Sequence, residues 1–176
     1  MTKMSVIRGI IILHLVSLCF SSETTKAVSM KTGNKLAVLR FEGWSISDPL
    51  TDFLTEELRG TIRELDIFQV QDRGLTNEVS IFYPRTKDYW ACWSLECAID
   101  LGKRLNVNYI IAGNIQKKDQ NEFLINGRLF SVDMETMLNE FSMNSSGITD
   151  SLLIEMKKMA YNVSGLPVPD TLSVGS

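Results

Sequence analysis

The stretch from Trp90 to Gln116 most constrains the fold, because it predicts a capped helix that leads directly into a buried strand. Ser94 is placed to cap the helix, and Glu96 puts negative charge in the first turn, where the helix dipole favours it. The apolar residues of this helix fall on one stripe: Leu95, Ala98, Leu101, Gly102 and Leu105. A glycine inside a helix costs about 1 kcal/mol relative to alanine, so Gly102 predicts a close approach of the helix backbone to a sheet.

The strand after this helix is predicted to lie in the middle of the sheet. Asn106 suits the left-handed residue that ends a helix, and Val107 supplies the apolar contact that follows it. The run 109–113 is apolar at every position, which is typical of a strand buried on both faces.

The other elements follow from hydrophobic periodicity in a chain of 176 residues that is 44% hydrophobic and 22% charged, a composition typical of one globular domain. Strands are predicted at 36–41, 67–71, 109–113, 123–132 and 138–145, and helices at 48–65, 95–105 and 149–164. Gly43 should end the first strand, with Trp44 in a loop; Asp48 should cap the first helix, with Phe53 on its apolar stripe and Arg59 on its wet side. Gly127 should interrupt the fourth strand.

The predicted fold class is α/β (α+β), a single compact domain in the order β-α-β-loop-α-β-β-β-α. A mixed sheet is covered by amphipathic helices: the first two strands lie parallel through a helical crossover, and the last three form an antiparallel meander. The domain should span 35–165, after a flexible lead-in at 23–34 and before a disordered tail at 166–176.

The first 22 residues have the pattern of a secretory signal peptide. Lys3 and Arg8 precede an apolar run from Gly9 to Phe20, which at roughly 12 residues is shorter than the roughly 20 that span a bilayer. Small residues follow, and cleavage is expected near Ser21 or Ser22.

Cys19 raises a lipoprotein alternative, in which acylation of a new N-terminal cysteine tethers the domain to a membrane. Leu18 argues against it, because a lipobox usually has a small residue immediately before the cysteine. A plain signal peptide and an uncleaved tether are the other interpretations.

Charge and histidine content exclude several classes of function. Loss of Lys3 and Arg8 reduces the basic residues from 18 to 16 against 21 acidic ones, so the mature chain carries a net charge of −5 and has no basic stripe for nucleic acid. The single histidine, His14, lies in the signal segment, which excludes histidine-dependent catalysis and histidine metal sites from the mature chain. Asp133 and Glu135 share a turn, but no further ligands converge on them, so no metal and no cofactor is predicted.

Cys92 and Cys97 are the only cysteines of the predicted mature chain. Three interpretations are open: a structural disulfide that fastens the preceding loop to the helix, two free buried thiols, and a redox-active pair at a helix N-terminus. The C-x4-C spacing differs from the C-x-x-C of exchange enzymes.

The segment from Leu75 to Trp93 is predicted to be irregular and is rich in aromatic residues. Either these rings bind a partner, since aromatic residues dominate binding hot spots, or they pack over the edge of the sheet. The candidate partner-binding residues are Trp44, Phe82, Tyr83, Tyr89, Trp90 and Trp93.

Four segments together resemble a bacterial cell-envelope superfamily that includes the curli-secretion protein CsgG, the penicillin-binding-protein activator LpoB and the N-terminal domain of TolB. The segments are LAVLRF at 36–41, FQVQDR at 68–73, ECAIDLGKRLNVNYIIAG at 96–113 and GRLFSVDMET at 127–136. The resemblance implies a compact α/β domain, exported to the periplasm or the inner face of the outer membrane, that acts by binding rather than catalysis. The usual Thr-Gly turn is Thr136-Met137 here, and the chain offers no spare amphipathic hairpins of about 10 residues for a secretion pore.

The resulting hypothesis is a non-enzymatic periplasmic adaptor for an envelope assembly, as a monomer or a homo-oligomer. The first alternative is an LpoB-like lipoprotein that activates a peptidoglycan synthase. The second is a thiol-disulfide protein that uses Cys92 and Cys97.

The intact mass of the protein purified from its native envelope, measured with and without reductant, tests the predicted N-terminus and the predicted disulfide. A mature chain that begins near Ser21 or Ser22 and is two hydrogens light before reduction is expected for an exported domain with a Cys92–Cys97 disulfide. A lipid-sized mass increase on Cys19 would instead establish a tethered lipoprotein.

Overall fold

The computed structural model describes residues 34–80, 92–147 and 149–173. The strands are β1 (Asn34–Val38), β2 (Glu42–Trp44), β3 (Phe68–Val70), β4 (Tyr109–Lys117), β5 (Glu122–Ser131) and β6 (Thr136–Ser146). The helices are α1 (Asp48–Glu64), α2 (Arg73–Ser80), α3 (Leu95–Leu105), α4 (Thr149–Val163) and α5 (Asp170–Ser173).

The strands form one mixed sheet of six strands in the order β3-β1-β4-β5-β6, with β2 paired to β4 beyond the end of β1. β1 lies parallel to β3 and to β4, and β2 also lies parallel to β4. β4, β5 and β6 form an antiparallel meander. The predicted mixed α+β architecture is therefore confirmed, including the central position of the strand that begins at Tyr109.

Helices pack on both sides of this sheet because successive side chains of β1, β4 and β5 point to opposite faces. On one side α1 and α4 bury the larger core, which includes Val38, Phe41 and Ile111. On the other side α3 buries a smaller core, which includes Ala37, Ile110 and Phe130.

The ends of α3 and its glycine agree with the sequence prediction. The Ser94 hydroxyl accepts a hydrogen bond from the Cys97 N–H at 3.2 Å, and Asn106 is left-handed with φ of 53°. A Cβ at Gly102 would overlap the side chain of Val132, so the close approach of helix to sheet requires glycine here.

Several predicted strand boundaries were wrong. β1 ends at Val38, and Gly43 lies inside β2, where the sequence predicted a strand end followed by a loop at Trp44. For β4 the prediction described only the apolar run 109–113, and the strand continues to Lys117 because Asn114 and Gln116 still pair with β5. β5 is continuous through Gly127, and its irregularity lies at Leu129 and Phe130 instead.

The helices also differ in detail from the prediction. Ser47, not Asp48, is the residue before α1, and the Asp48 carboxylate forms an ion pair with Arg40. Part of the segment predicted to be irregular is helical, since α2 spans Arg73–Ser80. The predicted tail contains α5, in which the Leu172 N–H donates to the Pro169 carbonyl at 2.9 Å.

Two side chains of α1 lie on the side opposite to the one predicted. Phe53 is 48% exposed, whereas Arg59 is only 2% exposed. The Arg59 guanidinium donates to the main-chain carbonyl of Val38 and to the Glu56 carboxylate, and these partners explain how a charged residue is buried.

Alanine substitutions at two helical glycines should have opposite effects on stability. Gly102→Ala forces α3 away from Val132 and should lower the free energy of unfolding by about 1–3 kcal/mol, as overpacking typically does. Gly60→Ala on α1 meets no atom within 4 Å and should raise it by about 0.5–1 kcal/mol. Urea unfolding of both variants measures the difference, and equal effects would contradict the close packing of α3.

Candidate functional site

The side of the sheet that α3 covers becomes polar beyond Ala112 of β4. The strand registers place a set of side chains on this part of the sheet, which we call the amide face: Glu42, Trp44, Asn114, Gln116, Leu124, Asn126, Arg128, Glu140, Ser142 and Asn144. The β6 members Glu140, Ser142 and Asn144 are exposed. Asn114 is buried, at 6% exposure, but most of the set consists of amides, hydroxyls and charged groups that can hydrogen-bond to a ligand.

A row of hydrogen bonds crosses the amide face from β4 to β6. Asn126 Nδ2 donates to Asn114 Oδ1 at 3.0 Å, and Ser142 Oγ donates to Asn126 Oδ1 at 3.0 Å. Because these three residues are direct cross-strand neighbours, the bonds fix the orientation of both amides. The row therefore presents a fixed hydrogen-bonding pattern rather than freely rotating side chains.

Arg128 holds Trp93 against the amide face. The guanidinium carbon lies 4.0 Å from the centroid of the Trp93 ring, and Nη1 donates to the Trp93 carbonyl at 3.0 Å. On the other side Nε donates to the Glu140 carboxylate at 2.9 Å. This stacking combines a cation–π contact with hydrogen bonds that use both ends of the guanidinium.

A disulfide between Cys92 and Cys97 encloses Trp93 in a short loop at the start of α3. Both half-cystines pack in the α3 core and are only 6% and 4% exposed. Cys92 has a φ of 48°, a left-handed conformation that is unfavourable for a side chain with a Cβ. The disulfide and the helix cap at Ser94 therefore fix the backbone on both sides of Trp93.

Trp44 lies on the same face of the sheet, at the end of β2 and at the other border of the amide face from Trp93. It is 45% exposed and pairs in register with Gln116 of β4. At about 3.4 Å per residue and about 4.8 Å between strands, it lies roughly 16 Å from the position of Arg128. The two tryptophans thus flank a polar surface that is wide enough for an extended segment of about five residues.

Two of the sequence-predicted binding residues, Trp44 and Trp93, belong to this surface. Phe82, Tyr83, Tyr89 and Trp90 lie outside the described residues, as does Cys19, so their roles stay predictions. Sequence reasoning missed the polar residues of the face. A signal was present, because polar residues alternate with apolar ones in 114–116 and again in 140–144.

A second cluster of charged groups lies at the end of β1 and is internally paired. Arg40, Asp52, Glu56, Arg59 and Arg73 line a cavity of about 10 Å³, which is the room of one water molecule. Partial burial acts to lower the pKa of Arg40, but its hydrogen bonds to the carboxylates of Asp52 and Asp48 outweigh burial and raise that pKa. Since the carboxylates already pair with the arginines, this cluster supports structure rather than ligand binding.

An open groove along α3 is another candidate in the described part of the chain. It is lined by Leu95, Glu96, Ile99, Asp100, Lys103 and Glu135. Lys103 donates to Glu135, and this bond holds the pKa of the carboxyl below its usual value. The groove lacks buried polar groups aimed into it, so it is a weaker candidate than the amide face.

Within the described ranges no three His, Cys, Asp or Glu side chains lie close enough together to hold a metal ion. The helices described for this chain include none that is long and apolar enough to cross a membrane.

The mixed sheet with helices on both sides defines the protein as an α+β domain, and its fold is similar to that of LpoB. The C-terminal domain of LpoB from Salmonella enterica superposes with a TM-score of 0.54 at 14% identity, over 71% of this chain and 91% of that one. A PelC dodecamer from Paraburkholderia phytofirmans gives a TM-score of 0.52 at 13% identity, over 79% and 93%. The lipoprotein GNA1162 from Neisseria meningitidis gives a TM-score of 0.53 at 12% identity, over 73% and 94%.

These similarities are at the level of fold. They confirm the fold that the resemblance implies for LpoB, but do not specifically support CsgG or the N-terminal domain of TolB, which the resemblance also included. No protein-family model matches the sequence, and no curated protein matches it.

Removal of the disulfide should destabilise the domain and release Trp93. The double variant Cys92→Ser with Cys97→Ser should lose about 2 kcal/mol of unfolding free energy, the value for a short closed loop. The near-ultraviolet circular dichroism of the tryptophans should weaken in the folded state. An unchanged tryptophan signal would mean that Arg128 alone holds the ring.

Proposed function

We propose that this protein is a non-enzymatic accessory protein of the bacterial cell envelope that binds a protein partner through the amide face. The observation that carries the proposal is the fixed polar row beside Trp93, whose ring is held by Arg128 at 4.0 Å. Tryptophan and arginine are the residue types most enriched in binding hot spots. A surface that is already ordered loses little conformational entropy when a partner binds.

The chemistry of the face favours an extended polypeptide as the bound segment. In this row the exposed Ser142 and the half-buried Asn126 offer donors and acceptors that match main-chain amides, and the buried Asn114 orients Asn126. Trp44 and Trp93 lie at its two sides, where each supplies apolar area to a side chain of the partner. The aromatic residues Phe82, Tyr83, Tyr89 and Trp90 are proposed to extend this contact.

The signal pattern of residues 1–22 supports export, and the likeness to the lipoprotein GNA1162 and to LpoB supports a place in the envelope. The proposed location is the periplasm, with attachment to the outer membrane if Cys19 is acylated. The likeness to LpoB also supports the alternative in which the partner is a peptidoglycan synthase that this protein activates.

The redox alternative receives little support from the geometry. Thiol-disulfide exchange needs access of a thiolate to one sulfur, whereas Cys92 and Cys97 are 6% and 4% exposed. An insulin-reduction assay without activity would remove this alternative.

Photo-crosslinking at Trp44 tests the proposed binding face. A photoreactive phenylalanine analogue at Trp44 should give one protein adduct in the native envelope. The same analogue at Phe53, which is similarly exposed at 48% against 45% for Trp44 but lies on α1, should give none. With the adduct partner purified, Trp44→Ala should weaken binding roughly 30-fold, as hot-spot tryptophans do, and Phe53→Ala should leave it within about twofold.

Adducts at both positions alike, or at Phe53 alone, would contradict the proposal. An unchanged thermal midpoint in Trp44→Ala excludes misfolding as the cause of weaker binding. If the partner is a peptidoglycan synthase, the rate of glycan polymerisation with and without the purified protein tests the activator alternative directly.

A further inference from the structure

The two edges of the sheet differ in how they are protected from pairing with another strand. β3, at one edge, has three residues, and very short edge strands are a common protection. β6, at the other edge, has 11 residues and in the described part of the chain pairs only with β5. It contains no proline, lysine or arginine, and its one charged residue, Glu140, pairs with Arg128. Apart from the irregularity near Leu138, β6 therefore lacks the usual features that block pairing, and the stretch from Glu140 to Ser146 is regular.

Hydrogen bonds at the ends of the meander determine which main-chain groups of β6 point outward. The Gly147 N–H donates to the Asn121 carbonyl at 2.8 Å, so the main-chain N–H and C=O groups of the neighbouring odd-numbered residues point toward β5. The main-chain groups of the even-numbered residues, from Glu140 to Ser146, therefore point away from β5. In agreement, the Glu140 N–H is not bonded to β5 but donates to the side chain of Asn139 at 2.9 Å.

We propose that β6 pairs antiparallel with β6 of a second copy of this chain, with Ser142 on the twofold axis. The hydrogen-bonding pattern requires even-numbered residues to face even-numbered residues. This leaves four registers near the middle of the strand, centred on Glu140, Phe141, Ser142 or Met143. A centre at Glu140 would place two carboxylates opposite each other, which is unfavourable.

The side chains on both faces of the strand select the register that is centred on Ser142. On the α4 side this register places Phe141 opposite Met143 of the second copy, a favourable contact between an aromatic ring and sulfur. On the amide face it places Glu140 opposite Asn144, whose amide can donate to the carboxylate. A centre at Met143 would instead place Phe141 opposite Ser145, and a centre at Phe141 would place Asn144 opposite Leu138, at the irregular end of β6.

The second copy is a fitting occupant because the strand is complementary to itself in this register, on both faces at once. About six main-chain hydrogen bonds would form between the copies, after the Asn139 side chain releases the Glu140 N–H. Since the twofold axis is perpendicular to the sheet, the two amide faces would lie on the same side and form one continuous surface. The pairing does not depend on the proposed function of that surface.

Engineered cysteines test the pairing and its register in the full chain with Cys19→Ser. In an antiparallel pair of this type the Cα atoms of opposed residues lie about 5.5 Å apart, within disulfide range. Ser142→Cys should therefore form a disulfide-linked dimer on mild oxidation. Asn144→Cys, also exposed on β6, is the matched control: its Cα atoms would be about 14 Å apart, so it should stay unlinked.

A proline at the same position tests whether main-chain hydrogen bonds hold the copies together. Ser142→Pro removes an N–H that points away from β5, and proline is tolerated in edge strands at such positions. Sedimentation equilibrium of the chain with Cys19→Ser should give a dimer at tens of micromolar, and the added Ser142→Pro should give a monomer with a similar circular dichroism spectrum.

Equal linking of Ser142→Cys and Asn144→Cys would overturn the proposed register. If the Cys19→Ser chain is a monomer and Ser142→Cys forms no disulfide-linked dimer, the pairing itself is overturned. The edge of β6 would then be available to an extended segment of another protein. The cysteine variants do not contain the proline, so they test the pairing even if Ser142→Pro fails to fold.

Discussion

Burial of β4 on both faces is the constraint on which the rest of the structure depends. Its apolar half, from Tyr109 to Gly113, leaves no main-chain group in contact with water, so each must pair within the sheet. β1 and β2 satisfy one side in parallel and β5 satisfies the other in antiparallel fashion. The mixed sheet is thus a consequence of one strand that has to be paired and covered on all sides.

The break between β1 and β2 is stabilised by polar side chains of α1. Between Val38 and Glu42 the chain leaves the regular ladder, and its main-chain groups need other partners. Thr55 Oγ1 accepts from the Phe41 N–H at 3.1 Å, and Arg59 donates to the Val38 carbonyl. The ring of Phe41 occupies the space that a side chain at Gly113 would fill. These contacts position β2, and with it Trp44 at the border of the amide face.

The sequence predicted the central elements because their pattern is dominated by burial. The α3 helix with Gly102 and the strand after it have apolar residues at the spacing that their packing requires, and both were predicted with correct starts. Arg59 was predicted on the wrong side. It follows Thr51 and Thr55 at helical spacing, and such a row of buried polar residues has the same sequence pattern as a solvent-exposed helix face. Of the site, only Trp44 and Trp93 were predicted. The amide row depends on cross-strand register, which a single strand's sequence does not specify.

The position of Trp93 links the core to the candidate binding surface. Cys97 is buried in the α3 core, and its disulfide to Cys92 fixes the chain immediately before the tryptophan. Arg128 then fixes the ring from the sheet side, and the same guanidinium bonds Glu140 on β6. One arginine thus contacts both the edge strand and the ring, so a shift of Glu140 would act directly on the group that holds Trp93. Pairing at β6 would hold Glu140 in the position from which it bonds Arg128, and would thereby preserve the order that Trp93 already has.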